Sequence, residues 1–112
     1  MKYIISIIQP NKLEPVRDAL SGLGISGMTV SEVQGYGRQK GKTEIYRGAE
    51  YAVHFLPKIK IELAVSAKQA AEVVEIIKTT AHSDRIGDGK IFMLDLAEAV
   101  RIRTSETGED AL

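Results

Sequence analysis

Cysteine and tryptophan are both missing from this chain. Without cysteine, disulfides and thiolate metal centres are excluded, and a reducing cytoplasm is a compatible setting. Aromatic residues are scarce, at 5%, so the core must be aliphatic. There is no excess charge of either sign, since 15 basic residues balance 15 acidic ones. Bulk electrostatic binding to nucleic acid or anionic lipid is thereby excluded, because it needs a basic excess. Long apolar runs are also lacking. Tyr3-Ile4-Ile5-Ser6-Ile7-Ile8 is too short for a signal peptide, and no later run could span a bilayer. A cytoplasmic protein without its own membrane segment is expected. What is present is ordinary for one globular domain: 112 residues, 44% hydrophobic and 27% charged.

Hydrophobic patterning divides the chain into six elements. Residues 3–8 suit a strand, which Pro10 ends. Asn11 and Glu14 have capping-box spacing, and Leu13, Val16, Leu20 and Leu23 follow with helical period. Pro15 falls in the first turn, and Gly22 and Gly24 stop the helix. Residues 28–33 predict a second strand reaching about Tyr36. Ile59, Ile61, Leu63 and Val65 alternate with Lys58, Lys60, Glu62 and Ala64, giving a third. Ser66 and Gln69 form another capping pair before Ala70, Val73, Val74 and Ile77. Residues 91–96 predict a fourth strand, and Arg101-Ile102-Arg103 could add a short final one. The polar stretch 105–110 is expected to be mobile. The order βαββαβ predicts an α+β, ferredoxin-like sandwich with both helices on one sheet face. Its other face would be uncovered in a monomer, which predicts self-association.

Residues 35–56, between the second and third strands, have no hydrophobic period. A long structureless connection is uncommon in a compact domain, and is usually functional or disordered. A protruding β-hairpin or solvated linker is the plain alternative. Tyr36, Tyr46 and Tyr51 lie here among Arg38, Lys40, Lys42 and Arg47. Tyrosine and arginine together are the chemistry of recognition surfaces. Further on, Gly87-Asp88-Gly89-Lys90 can be read two ways. It is a tight turn feeding the next strand, or a place where backbone amides and a lysine receive an anion.

Two motifs carry a family resemblance. Tyr46-Arg47-Gly48-Ala49-Glu50-Tyr51 resembles the exposed-loop hexapeptide of the PII nitrogen-signalling proteins. Ser83 followed by Gly87-Asp88-Gly89-Lys90-Ile91-Phe92-Met93 resembles that family's second signature. Gly35-Tyr36-Gly37-Arg38-Gln39-Lys40-Gly41 and Arg101-Ile102-Arg103-Thr104 also match, and the likeness runs the length of the chain. It implies a single domain over 1–112, with an exposed loop at about 37–55, a nucleotide loop at about 82–90 and a C-terminal segment at 101–112.

The resemblance implies a homotrimer that binds ATP or ADP between adjacent subunits. Gly87, Asp88, Gly89 and Lys90 would form a wall of that site, with Lys90, Arg101, Arg103 and Arg38 on the phosphates. Thr29, Glu62 and Ala64 would line the base and ribose side, with Ile7, Gly35 and Gly37 nearby. 2-Oxoglutarate would bind at Gln39, Lys40, Gly41 and Lys58. It would share a magnesium ion with ATP, and Gln39 would complete the metal's shell. From sequence alone, Lys58 reads better as a solvated strand end after Pro57. Tyr51 would be the site of uridylylation or adenylylation by a nucleotidylyltransferase, or would stay unmodified. Arg47, Tyr46 and Tyr51 would contact protein partners. Those are an ammonium channel, glutamine synthetase adenylyltransferase, a sensor kinase or acetylglutamate kinase, the channel recruiting the protein to the inner membrane.

Departures from the family pattern are few. Asp84 stands where glycine is frequent, and would repel phosphate unless Arg85 neutralised it. Gln9-Pro10-Asn11 replaces a more usual basic-proline-aromatic triplet, a change that bears on the first helix cap. An enzyme finds little support, because no serine-histidine-carboxylate pattern is visible, and His54 and His82 lack metal-ligand spacing. Slow nucleotide hydrolysis, a ligand-free interaction module, or a relative repurposed for another metabolite are the rival readings.

Overall fold

A computed structural model describes residues 1–36 and 55–112 in full, and 43–46 and 49–52 as backbone strands. Its elements are β1 (Lys2–Ile8), α1 (Leu13–Gly22), β2 (Thr29–Gly35), β3 (Thr43–Tyr46), β4 (Ala49–Ala52), β5 (Leu56–Val65), α2 (Ala67–Ala81) and β6 (Gly89–Asp95). The main sheet has the order β2-β5-β1-β6, and every adjacent pair is antiparallel. This is the predicted ferredoxin-like arrangement, in which two βαβ halves interleave their strands.

Strand alternation decides which face is buried. Ile4 and Ile8 of β1 and Ile59, Ile61, Leu63 and Val65 of β5 point to one side. There they meet Val16 and Leu20 of α1, and Ala70, Val73 and Ile77 of α2. The alternate residues of each strand therefore face the side opposite the helices.

Both helix termini of the first βαβ half depend on local chemistry. The Ile25 amide donates to the Leu20 carbonyl and the Gly24 amide to that of Ser21, both at 3.0 Å. This is a Schellman closure, and Gly24 supplies its left-handed residue at φ 83°. The start of α1 differs from the expected capping box. Pro10–Lys12 forms a 3-10 turn, Lys12 takes the cap position, and no side chain caps it. Glu14 pairs instead with Arg17, one turn on. Proline at the head of the 3-10 turn moves the helix start past Asn11.

At α2 the expected cap is present. The Gln69 amide donates to Ser66 Oγ at 3.3 Å. Ser66→Ala should therefore destabilise the fold by about 1 kcal/mol, read as a lowered urea midpoint with an unchanged slope.

Two further expectations are corrected. The 35–56 connection is not structureless, because β3 and β4 pair within it, with Glu44 opposite Tyr51 and Tyr46 opposite Ala49. For those residues the plainer alternative, a hairpin, is what forms. Their β-branched and aromatic members favour extended chain, and two residues including a glycine separate the strands. Residues 101–103 form a turn rather than a strand. The Ser105 amide donates to the Arg101 carbonyl, and the Arg101 amide to that of Glu106, each at 2.8 Å. Ser105 at φ 64° lets the chain reverse, and Val100 bridges to Thr107. The 105–110 stretch is thus hydrogen-bonded, and ends in a 3-10 turn at Gly108–Ala111.

Candidate functional site

The sheet face away from the helices gathers Ile7, Thr29, Gly35, Lys58, Glu62, Ala64 and Lys90 among the sequence-predicted residues. Residues directly opposite in an antiparallel pair share a face. Thr29 lies opposite Glu62, Ile7 lies between Lys60 and Lys90, Ala64 lies opposite Tyr3, and Lys58 lies opposite Val33. The set is spread over successive rows of the face. Gly35, Lys58, Ile7, Lys90 and the 87–89 turn cluster at the end of the sheet near the long loop. Thr29 and Glu62 lie one row further along the sheet, level with Ile5, and Ala64 lies a row beyond, level with Tyr3. Thr29 and Lys90 are on opposite edge strands, three strand spacings or about 14 Å across the sheet, and one row apart along it.

Burial separates Lys58 from an ordinary surface lysine. It is only 4% exposed, so the solvated strand end allowed by the sequence is not what forms. Gly35 makes the room, since a Cβ there would come within 3.1 Å of Lys58 Cγ. At the root of the loop, the Tyr36 and Phe55 rings pack at 5.7 Å. Lys58 Nζ donates to the Gly87 carbonyl at 2.6 Å. Burial lowers the lysine's pKa from its usual 10.5, and the nearby Asp88 carboxylate partly offsets this. Gln9 Nε2 donates to the same carbonyl at 2.7 Å.

Residues 83–89 form a loop closed by its own side chains. The Asp88 carboxylate accepts from the Ser83 amide at 2.7 Å and from the Ser83 hydroxyl. These bonds hold its pKa below the usual 3.8. Its charge is thus engaged inside the loop. Gly87 and Gly89 have φ of 103° and 107°, and Asp84 of 62°. The last value gives Asp84 a physical basis: glycine suits a left-handed position best, and aspartate is among the few residues that tolerate it. No ion pair joins Asp84 to Arg85 among the described residues.

Comparison with known proteins identifies the family. The family model "Nitrogen regulatory protein P-II" matches residues 1–106. The chain is 58% identical to "Nitrogen regulatory protein P-II" of Rhizobium etli and 55% identical to "Nitrogen regulatory protein GlnK" of Escherichia coli. In each case all 112 residues align, covering 100% of both chains. It is 56% identical to the P-II protein of Pasteurella multocida, again over both full lengths. The chain belongs to the P-II family.

In this P-II protein, Arg101 and Arg103 lie on the C-terminal turn, apart from the 87–90 loop in their contacts. The Arg101 guanidinium is 3.4 Å from the Glu106 carboxylate and donates to the Leu112 carbonyl at 3.2 Å. Gly37, Arg38, Gln39, Lys40, Gly41 and Arg47 lie outside the described residues, as does His54. Tyr46 and Tyr51 are placed only as members of β3 and β4. No group of three or more histidines or carboxylates could hold a metal among the described residues. No described helix is long and apolar enough to cross a membrane. A cleft of about 380 Å³ lies on the helix side of β6, between Ile8, Val74, Ile77, Ala81 and Ile91. Asp88, Gly89 and Lys90 rim it together with Lys78 and His82.

Gln9 is the residue that sequence reasoning missed. Its one signal is the departure of Gln9-Pro10-Asn11 from the usual triplet, which in sequence bears only on the helix cap. The side chain points instead to Gly87.

Proposed function

We propose that the protein is a P-II signal transducer that binds ATP or ADP together with 2-oxoglutarate and converts their occupancy into loop shape. The observation that carries this reading is Lys58. A buried ammonium whose hydrogen-bond partner is a neutral carbonyl would gain from a carboxylate, because charge-assisted bonds are stronger. The 2-oxoglutarate carboxylate would be that partner. The phosphates would lie against the backbone of Gly87, Gly89 and Lys90, with the Lys90 ammonium beside them. Around this loop the Lys58 and Lys90 ammoniums and the backbone amides can meet an anion, while the Asp88 carboxylate is engaged by Ser83. Magnesium would therefore enter with phosphate and keto-acid oxygens, Gln39 adding a carbonyl oxygen. When bound it would neutralise charge on the phosphates and the keto acid.

The placement of Thr29 and Lys90 on opposite edge strands, and of Arg101 and Arg103 on the C-terminal turn, supports a site shared between copies. One subunit would supply the 87–90 loop, Ile7, Gly35, Gly37 and Arg38, and its neighbour Thr29, Glu62, Ala64, Arg101 and Arg103. The open face carries Phe92 and Leu94, each 48% exposed, and a trimer would cover them. Gln39, Lys40 and Gly41 precede β3 in sequence, so ligand capture by them would constrain the chain that carries Arg47 and Tyr51. Partners would select among loop shapes in the cytoplasm or at a membrane channel, and modification of Tyr51 would block docking. The coupling must be reciprocal: a partner that prefers the ADP form weakens 2-oxoglutarate binding by the same factor.

Calorimetry tests the reading. Wild-type protein in ATP and magnesium should bind 2-oxoglutarate, and Gln39→Ala should weaken that binding by about tenfold or more, the loss of one charge-assisted contact. Unchanged affinity in the variant would remove Gln39 from the site, and no binding by wild type would remove the effector.

A further inference from the structure

Two donors from different parts of the chain converge on one acceptor. Gln9 Nε2 and Lys58 Nζ lie 2.7 Å and 2.6 Å from the Gly87 carbonyl oxygen. Gly87 belongs to no strand, so no ladder fixes the direction of that carbonyl. A carbonyl oxygen has two lone pairs. It accepts both donors together, and it stays satisfied if one leaves.

The donors differ in what can take them away. Lys58 carries a charge that a carboxylate attracts strongly, whereas the Gln9 amide is neutral and is drawn away less. With Lys58 alone on Gly87, an arriving carboxylate and the glycine loop would compete for one ammonium group. With Gln9 present, each keeps a donor.

We infer that Gln9 is a positioning residue that holds Gly87 in place while Lys58 turns to a carboxylate ligand. The nucleotide and effector reading above supplies the identity of the ligands, and the inference rests on it there. The redundancy of the two donors is a property of the loop itself, and can be measured without ligand.

Three substitutions test it: Gln9→Met, which keeps length without a donor, Gln9→Lys, which restores one, and Lys58→Met. The first readout is hydrogen exchange of the 83–90 peptide in ligand-free protein. Each methionine variant should exchange about threefold faster and the double variant about thirtyfold faster, since only the double leaves the carbonyl unpaired. Gln9→Lys combined with Lys58→Met should return exchange to that of Lys58→Met alone. Additive single effects, or a Gln9→Met effect as large as the double, would overturn the inference. The second readout is ATP affinity with and without 2-oxoglutarate. In Gln9→Met the keto acid should weaken ATP by about tenfold relative to its effect in wild type. An unchanged ratio would also overturn the inference. Failure of the functional reading looks different: wild type then binds neither ligand, and the exchange pattern alone decides the role of Gln9.

Discussion

Gly89→Ala is expected to destabilise the protein by roughly 3–5 kcal/mol, the range of severe strain and overpacking. The reason is a collision with backbone. A Cβ built on Gly89 lies 1.7 Å from the Ile7 carbonyl oxygen and 2.8 Å from its carbon. Neither atom can move aside cheaply, because Ile7 sits in the interior of β1 and pairs with Lys60 on one side and Lys90 on the other. Gly89 also has φ 107°, where a side chain is strained whatever the space. The end of the β1–β6 ladder must open, and the turn that carries Gly87 and Asp88 must open with it. Thermal unfolding followed by circular dichroism should show a fall of at least about 10 °C. Gly24→Ala provides the control. It has φ 83°, but no atom lies within 4 Å of the place a Cβ would take, so it should cost only about 1–2 kcal/mol, from backbone strain alone. Equal losses in the two variants would show that strain, and not the collision with Ile7, sets the requirement at position 89.

The same position shows how sequence and structure share the information. Glycine at 87 and 89 could be read as a turn or as an anion cradle, and the glycine-aspartate dipeptide favoured the turn. The turn is geometry within one chain and is present. A similar contrast separates the two helix starts. Ser66 and Gln69 follow an uninterrupted strand, so their spacing alone decides the cap. Asn11 and Glu14 have the same spacing, but Pro10 directs the preceding residues into a 3-10 turn, and Arg17 offers Glu14 a closer partner. The strand order and the buried stripe were legible because periods of two and near four are local properties of sequence. Lys58 was not legible. Its burial depends on Gly35 across the β2–β5 pair and on Gly87 from a distant loop, contacts that no local pattern encodes. Arg101, Ile102 and Arg103 looked like a strand because extended residues alternate there. Yet Ile102 is 98% exposed, and hydrogen bonds to Glu106 and from Ser105 fold the segment back on itself.

Lys58 carries the other large expected effect. Lys58→Met should reduce 2-oxoglutarate affinity by about a hundredfold, as expected for losing a desolvated charge pair, and weaken ATP by only about threefold. Methionine keeps most of the stem that packs over Gly35, so the fold should persist. The wild-type pH dependence provides an independent check. Burial is the main cause of the lysine's lowered pKa, so the folded state disfavours the ammonium form. As pH rises toward 10.5, the usual lysine value, the folded protein loses this proton before the unfolded chain does. The contribution of Lys58 to stability therefore rises with pH through its lowered pKa. The keto acid needs the ammonium form, so its affinity should fall over the same interval. Binding the carboxylate restores the charged form, so proton uptake should accompany binding there. Calorimetry in two buffers of different ionisation enthalpy measures that uptake directly. Lys58→Met should abolish it. If uptake persisted in the variant, another group would be titrating, and Lys58 would not be the residue that meets the carboxylate.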